Sequence, residues 1–333
     1  MSRRMAPRAT DEQPDISVIV PARNAAALLP RLLAALDRST FDGAWETVVV
    51  DDASTDATAD LAEEWGARVV RLESQSGPAA ARNAGLAAAR APLIAFTDAD
   101  CEPCPDWLPA LTAALREADI AMGPVRPRPD VPRGPFARTL SIGRESPLFE
   151  TANLAVRREL VDRVGGFEPF APVPGARTGL RPTVGEGHFG EDAVFGWRAR
   201  RTGARTAFVE DALVHHAVFP RGARGYVAER WRLRFFPALV REVPELRSRL
   251  TLRIFLTRDS ALFDLAVLGL LASMATRRRA PLVAALPYLK HRLVWRGGWR
   301  RSVARRNAAV VAGDAVGFVA LLRGSAAARR LLL

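Results

Sequence analysis

The chain has 333 residues, 49% hydrophobic and 25% charged, enough apolar content for one large or two ordinary domains and too much for a disordered polymer. Its two cysteines, Cys101 and Cys104, exclude a disulfide scaffold and suit a reducing cytoplasm. The formal charge of +12 is unevenly placed. Residues 241–333 carry 18 basic and 5 acidic residues, a net +13, whereas residues 1–240 carry 30 and 31. A partner with a negative surface is expected to meet that last segment.

Residues 1–13 read as a basic, disordered tail with no apolar run of the kind a secretory signal needs. From there strands and helices alternate. Ile16–Val20 is a short apolar run closed by Pro21, which predicts a buried strand. Leu28, Leu29, Leu32, Leu33 and Leu36 recur at helical spacing. Thr47–Val50 predicts a second strand, ending in Asp51-Asp52, and a helix carrying Leu61 and Trp65 follows it. A strand at Arg68–Leu72, an Ala-rich helix between Pro78 and Arg90, and a strand at Leu93–Thr97 come next. That last strand ends in Asp98-Ala99-Asp100. Leu108, Leu111 and Leu115 mark a helix, and Ile120–Val125 another strand.

This order predicts a mostly parallel, doubly wound α/β sheet with helices on both faces. Ligands of such sheets lie beyond the carboxyl ends of the strands, where this sequence has Asp51, Asp52, Asp98 and Asp100. Two carboxylates as close as Asp98 and Asp100 repel each other unless a cation lies between them, and Mg²⁺ or Mn²⁺ takes carboxylates together with phosphate oxygens.

Residues 126–150 read as a connection. A strand near Asn153–Val156 and a helix near Glu159–Val164 follow, stopped by Gly165-Gly166. The glycine- and proline-rich stretch 171–190 reads as a long functional loop. Glu191-Asp192 opens a helix containing Trp197, and Thr206–Val209 reads as a strand leading to His215 and His216. Beyond Phe235 the apolar stretches 265–275, 281–289 and 308–322 alternate with arginines. None is an uninterrupted apolar span of about 20 residues. They are expected to form amphipathic helices on a membrane surface, with Trp295 and Trp299 at the interface, or a helical subdomain packed on the core.

The ordered set Pro21-Ala22-Arg23-Asn24, Asp51-Asp52-Ala53-Ser54-Thr55-Asp56, Gly77-Pro78-Ala79-Ala80-Ala81-Arg82-Asn83 and Asp98-Ala99-Asp100 resembles the family 2 glycosyltransferases of GT-A fold. So do Asn153-Leu154-Ala155-Val156-Arg157, Gly165-Gly166-Phe167 and Gly190-Glu191-Asp192 with Trp197-Arg198. The resemblance implies a GT-A-type sheet, with a nucleotide-sugar-binding half over 14–125 and an acceptor-binding, catalytic half over 126–235 whose lid is 171–190. A basic helical segment, 236–333, follows.

It implies that Pro21, Arg23 and Asp52 surround the base and ribose and that Asp51 shapes their pocket. Arg82 approaches the diphosphate, Asp98 contacts the ribose or metal, and Asp100 ligates Mg²⁺ or Mn²⁺. Asp192 is the general base, with Glu191 orienting the acceptor. His215 is a further metal ligand, with His216 an equally spaced rival. Arg230-Trp231 resembles the end of a motif of processive members, but Val227 stands where that motif has glutamine, which points to transfer of one sugar per acceptor. Trp231 and Arg230 are acceptor-side candidates.

The activity so implied is inverting, metal-dependent transfer of one sugar from a nucleotide diphosphate donor to an acceptor hydroxyl. A lipid-linked or cell-envelope acceptor fits it, at the inner face of the cell membrane. The alternatives are a polyprenyl-phosphate glycosyltransferase and a sugar nucleotidyltransferase, which would normally show a Gly-rich loop after its first strand. No nucleic-acid partner is expected. Cys101-Glu102-Pro103-Cys104 lacks the second ligand pair of a zinc site and reads as reduced structural thiols.

Overall fold

The computed structural model describes residues 13–168, 189–293 and 300–333. Most of the expected terminal tail, most of the expected lid 171–190, and Trp295 and Trp299 lie outside the described residues. The described chain forms two compact units: residues 13–132, 139–168 and 189–219 in the first, and 133–138, 220–293 and 300–333 in the second.

The first unit contains β1 (Ile16–Ala22), α1 (Leu29–Leu36), β2 (Trp45–Asp51), α2 (Thr58–Trp65), β3 (Arg68–Arg71), α3 (Pro78–Ala88) and β4 (Leu93–Phe96). After these come β5 (Cys101–Pro103), α4 (Trp107–Ala114), β6 (Ile120–Met122), β7 (Val125–Pro127), β8 (Leu154–Arg157), α5 (Arg158–Val164), α6 (Glu191–Arg201), β9 (Thr206–Phe208) and β10 (Val214–His216). Seven strands form one sheet in the order β3-β2-β1-β4-β8-β6-β9. Its pairs are parallel except where β8 lies antiparallel between β4 and β6.

The apolar runs are continuous because both faces of the sheet are covered. Alternate residues of one strand enter different cores: Ile16, Val18 and Val20 pack with Leu29, Leu32 and Trp107, while Ile19 packs with Val48, Val50, Phe96 and Phe167. Chain order reverses between β2 and β4 on either side of β1, so the carboxyl ends of these strands open a crevice at the switch point.

The expected strand at 120–125 is two strands. Gly123-Pro124 breaks it, and Asn153 fills the break by donating to the carbonyls of Pro124 and Ala212 while accepting from Trp107 Nε1. The second piece, β7, joins a small sheet of order β5-β10-β7. Strands of three residues carry too little periodicity to be read from sequence, and this sheet sets the position of the histidines.

The second unit contains α7 (Ala223–Glu229), α8 (Phe236–Glu242), α9 (Arg258–Thr276), α10 (Leu286–Arg292) and α11 (Arg301–Ala328), with single 3₁₀ stretches at Arg230–Phe235, Pro244–Arg249 and Ala280–Ala285. It begins at Pro220, before the change of character at Phe235, because α7 packs on α11. The helices overrun the apolar stretches seen in sequence, so α9 and α11 are both long and apolar enough to cross a membrane by length and composition. Of the apolar window of α11, 44% is buried, against 17% for α9. The buried side of α11 is small: Gly313, Gly317, Ala320 and Gly324 let α7 and residues 230–235 approach closely. Asp314 is not a stray charge in an apolar helix. Arg292 clamps both its oxygens at 3.0 and 3.1 Å, and Tyr288 donates to it at 2.9 Å.

Asp264 is 5% exposed, and its Oδ2 is buried without a hydrogen-bond partner. Burial pushes its pKa up to about 6. The folded state therefore holds a proton that the unfolded state has released between about pH 4 and 6, and stability falls as pH rises through that window. Asp264→Asn is expected to remove this dependence. Thermal melts should show the variant stabilised by about 1–3 kcal/mol at pH 7.5 and little changed at pH 4.

Candidate functional site

Four loops meet at the carboxyl ends of β1, β2 and β4, and side chains sew the first two together. Asn24 Oδ1 accepts from the Thr55 amide at 2.8 Å, and Ser54 Oγ accepts from the Asn24 amide at 2.9 Å. Asp56 accepts from the amides of Ala26 and Thr58 and from the Thr58 hydroxyl, the last of which chiefly lowers its pKa. Asp56 therefore closes a turn.

Asp51 and Asp52 differ in what they touch. Both oxygens of Asp52 accept backbone amides, from Ser76 at 2.6 Å and Gly77 at 2.9 Å, so Asp52 caps the loop that opens α3. Asp51 Oδ1 is buried with no partner, as are Nε and Nη1 of Arg23. Orphaned polar atoms of this kind are rare in protein interiors and suit a polar ligand. Asp52 was expected at the base and ribose and Asp51 as a pocket-shaping residue; here the oxygens of Asp52 are occupied by backbone amides, and Asp51 keeps one oxygen without a partner.

Arg82, on the first turns of α3, is 95% buried. Its guanidinium meets Asp192 at 3.1 Å, Glu191 at 3.3 Å and Asp98 at 3.4 Å. Burial alone would lower its pKa, but the three carboxylates raise it. Burial pushes Asp98 and Asp192 upward while Arg82 pulls both down, and the net direction for each is upward. The guanidinium expected to approach a diphosphate is thus engaged by carboxylates. The second oxygen of Asp192 accepts from the Thr151 amide at 3.1 Å and the Thr151 hydroxyl at 3.0 Å, so its carboxylate is fixed at both ends.

The distant sequence motifs are one assembly. Asn83 donates to the Phe167 carbonyl at 2.7 Å and accepts from the Phe167 amide at 2.8 Å. Gly166 lies so close to Asn83 that a Cβ would fall 2.3 Å from its Oδ1. Arg198, about two turns along α6, donates to the carbonyls of Gly165 and Gly166 and pairs with Glu168. Trp197 donates to the Pro147 carbonyl at 2.9 Å. These contacts seat the start of α6, and with it Glu191 and Asp192, over α3.

The strand register selects the histidine. β10 pairs with β5 so that His216 lies opposite Cys101 and His215 opposite Glu102. Side chains alternate along a strand, so only one of the two faces Asp100. His216 Nε2 is 3.5 Å from Asp100 Oδ2, and its Nδ1 donates to the Ala217 carbonyl at 2.7 Å. With Nδ1 used in that bond, Nε2 is the ring nitrogen directed at the Asp100 carboxylate, an arrangement that suits a cation held by both. Ligand atoms of Asp100, Cys101 and His216 lie within 4.8 Å of one another. His215, expected as the ligand, is on the opposite side, with Nδ1 buried and unpartnered. The Cys101 thiol is buried, its pKa pushed well up by burial and by the nearby aspartates, and therefore holds its proton.

Pro21 stands at the end of β1, half-buried. Arg230 and Trp231 belong to the second unit, where Arg230 stacks on Tyr226 and donates to its hydroxyl at 2.7 Å, and Trp231 is flanked by Arg234 and Arg323. Sequence reasoning missed Thr151. Its only signal is its position two residues before the Asn153 motif, and its contact with Asp192 spans 41 positions.

A parallel sheet with an acidic, arginine-clamped crevice at its switch point is the architecture of GT-A glycosyltransferases. Residues 17–170, a little under half of the chain, match the glycosyl transferase family 2 model. It is 30% identical over 223 residues to a pre-mycofactocin glycosyltransferase of Mycobacterium tuberculosis, covering 61% of this chain and 42% of that protein. It is 29% identical over 175 residues to the glycosyltransferase AglE of Haloferax volcanii, covering 47% and 57%. The chain thus spans about half the length of the curated relatives it matches. Its fold is shared with a mannosyltransferase from Pyrobaculum calidifontis solved with GDP-mannose and Mn²⁺, with a TM-score of 0.53 at 20% identity over 96% of this chain and 90% of that one. It is also shared with Staphylococcus aureus TarS 1–349 solved with UDP-GlcNAc, with a TM-score of 0.50 at 18% identity over 95% and 92%.

Arg82 is the cation that makes the buried carboxylates tolerable. Arg82→Met is expected to cost about 3–5 kcal/mol in urea unfolding at pH 7.5. The deficit should shrink toward pH 5, because the unclamped Asp98 and Asp192 take up protons more readily than their unfolded counterparts.

Proposed function

We propose that this chain transfers one sugar from a nucleotide diphosphate donor to an acceptor hydroxyl, with inversion at the anomeric carbon. The observation that carries this reading is the double tether of Asp192, Arg82 on one oxygen and Thr151 on the other, beside the strand-end aspartates. The match to a glycosyltransferase family model supports the reaction class, and fold neighbours solved with GDP-mannose and UDP-GlcNAc are consistent with the donor class.

Asp192 acts as the general base. Its carboxylate takes the proton from the acceptor hydroxyl as that oxygen bonds to the anomeric carbon and the bond to the diphosphate oxygen breaks on the opposite side. Arg82 holds Asp192 in position, and Glu191, buried against the same guanidinium, orients the acceptor. Pro21, Arg23 and Asp51 receive the nucleotide, the unsatisfied atoms of Arg23 and Asp51 serving as its donors and acceptor. Asp98 faces the ribose side of the crevice.

Asp100 and His216 would hold Mg²⁺ or Mn²⁺, which supplies positive charge to the departing diphosphate. The acceptor in this reading is a lipid-linked or cell-envelope hydroxyl, Arg230 and Trp231 act on the acceptor side, and the basic segment 236–333 meets the inner face of the cell membrane.

The first test is thermal stabilisation by UDP, GDP, dTDP and CDP, each with and without Mn²⁺. One diphosphate should give a metal-dependent shift that Asp100→Ala and His216→Ala abolish and His215→Ala retains. No shift with any of them would refute donor binding.

Asp192→Asn should keep that shift and lose at least about a hundredfold in turnover. Retained turnover would instead indicate a phosphate acceptor, which needs no base. Because burial raises the pKa of Asp192, activity should fall with decreasing pH through a limb above the ordinary aspartate value of about 4.

A further inference from the structure

The second unit carries an apolar surface that its own helices do not cover. After α9 ends, Arg277 takes a left-handed conformation (φ 54°), Ser273 donates to the Arg278 carbonyl at 2.6 Å, and residues 280–285 fold back along the helix. Gly269 permits this return: a Cβ there would fall 2.6 Å from the Pro281 carbonyl oxygen and 2.8 Å from Ala284. The result is a short helical hairpin. Leu268 is 63% exposed and Met274 69% on the outgoing arm, and Val283 is 64% and Leu286 57% on the return.

Contiguous exposed apolar surface of this kind marks a binding face, and its charges identify the occupant. The hairpin tip is Arg277-Arg278-Arg279, all three exposed. At the other end an open groove of about 900 Å³ has an apolar floor of Leu262, Leu286 and Leu289 and a basic rim of Arg258 and Lys290. Both ends are cationic, and the middle is bare hydrocarbon. An aqueous protein partner would need a complementary acidic and apolar face, whereas an anionic bilayer presents this alternation of phosphate and acyl chain along its whole surface.

We propose that the hairpin of α9 and residues 280–286 lies in the plane of an anionic membrane, with its leucines and methionine among the acyl chains. Arg258, Arg277, Arg278, Arg279 and Lys290 sit at the lipid phosphates. The helix lies on the membrane and does not cross it. At about 1.5 Å per residue its 19 residues could span the hydrocarbon, but its other side is committed to protein. Phe263 packs edge-on against Tyr288, Asp264 is buried, and Asp259 pairs with Arg292 at 3.2 Å. Crossing would strip all three. The proposal deepens the membrane-surface reading above and rests on it, but it is independent of the transfer chemistry.

The test is flotation of the full chain with vesicles of phosphatidylcholine alone and of phosphatidylcholine with about 30% phosphatidylglycerol, at about 0.15 M salt. The protein should float with the anionic vesicles and stay behind with the neutral ones. Replacing Arg277, Arg278 and Arg279 together by Gln should weaken binding by about a hundredfold. Leu268→Asp with Met274→Asp, both at exposed positions, should abolish it. Both variants should keep the wild-type melting temperature and any nucleotide-dependent shift, so a loss of vesicle binding stands apart from a loss of donor binding.

Four results would overturn the proposal. They are no flotation of the wild type, flotation that neither variant alters, retention on neutral vesicles through high salt (a spanning helix), and a dimer that Leu268→Asp dissolves in a protein that does not bind vesicles.

Discussion

The buried guanidinium of Arg82 is the interaction on which the site depends. A carboxylate buried without a partner loses its charge to desolvation, and this crevice gathers Asp98, Glu191 and Asp192 around one cation. Arg82 offsets that cost, while burial still holds Asp98 and Asp192 above the usual aspartate range. Arg82 also joins the two halves of the first unit, since it stands on α3 and its partners come from the end of β4 and the start of α6. The position of Asp192, the proposed base, is therefore fixed by electrostatics across 110 residues of sequence.

Asp100 stands apart from this set. Arg82 meets Asp98, Glu191 and Asp192, whereas Asp100 Oδ2 lies 3.5 Å from His216 Nε2. In the proposed mechanism Asp100 and His216 hold the divalent ion, while Asp192 stays with Arg82 and Thr151.

Much of this was legible in the sequence. The run of strands ending in aspartates is readable because a strand covered on both faces is mostly apolar, so a pair of carboxylates stands out where the chain leaves the sheet. The elements from Ile16 to Val164 follow that logic, and the structure confirms the sheet and its helices. What was illegible has a common cause. The sheet of β5, β10 and β7 consists of three-residue strands with no period to detect. Thr151 carries no local signature, and the helices of the second unit extend past their apolar stretches because small residues such as Gly313 and Gly324 pack without contributing hydrophobicity.

By itself the sequence determined the resemblance to a family, the mostly parallel sheet and the set of carboxylates at its crevice, since these follow from hydrophobic period and from motifs contiguous in the chain. Only the tertiary structure decided which member of each adjacent pair faces the crevice with an atom to spare. Asp52 is taken up by two backbone amides while Asp51 keeps an oxygen free. His216 faces Asp100 because β10 pairs with β5 in one register, and a slip of one residue would have turned His215 inward instead. Neighbours in sequence are chemically alike but point in opposite directions, and direction is set by long-range pairing that no local pattern contains.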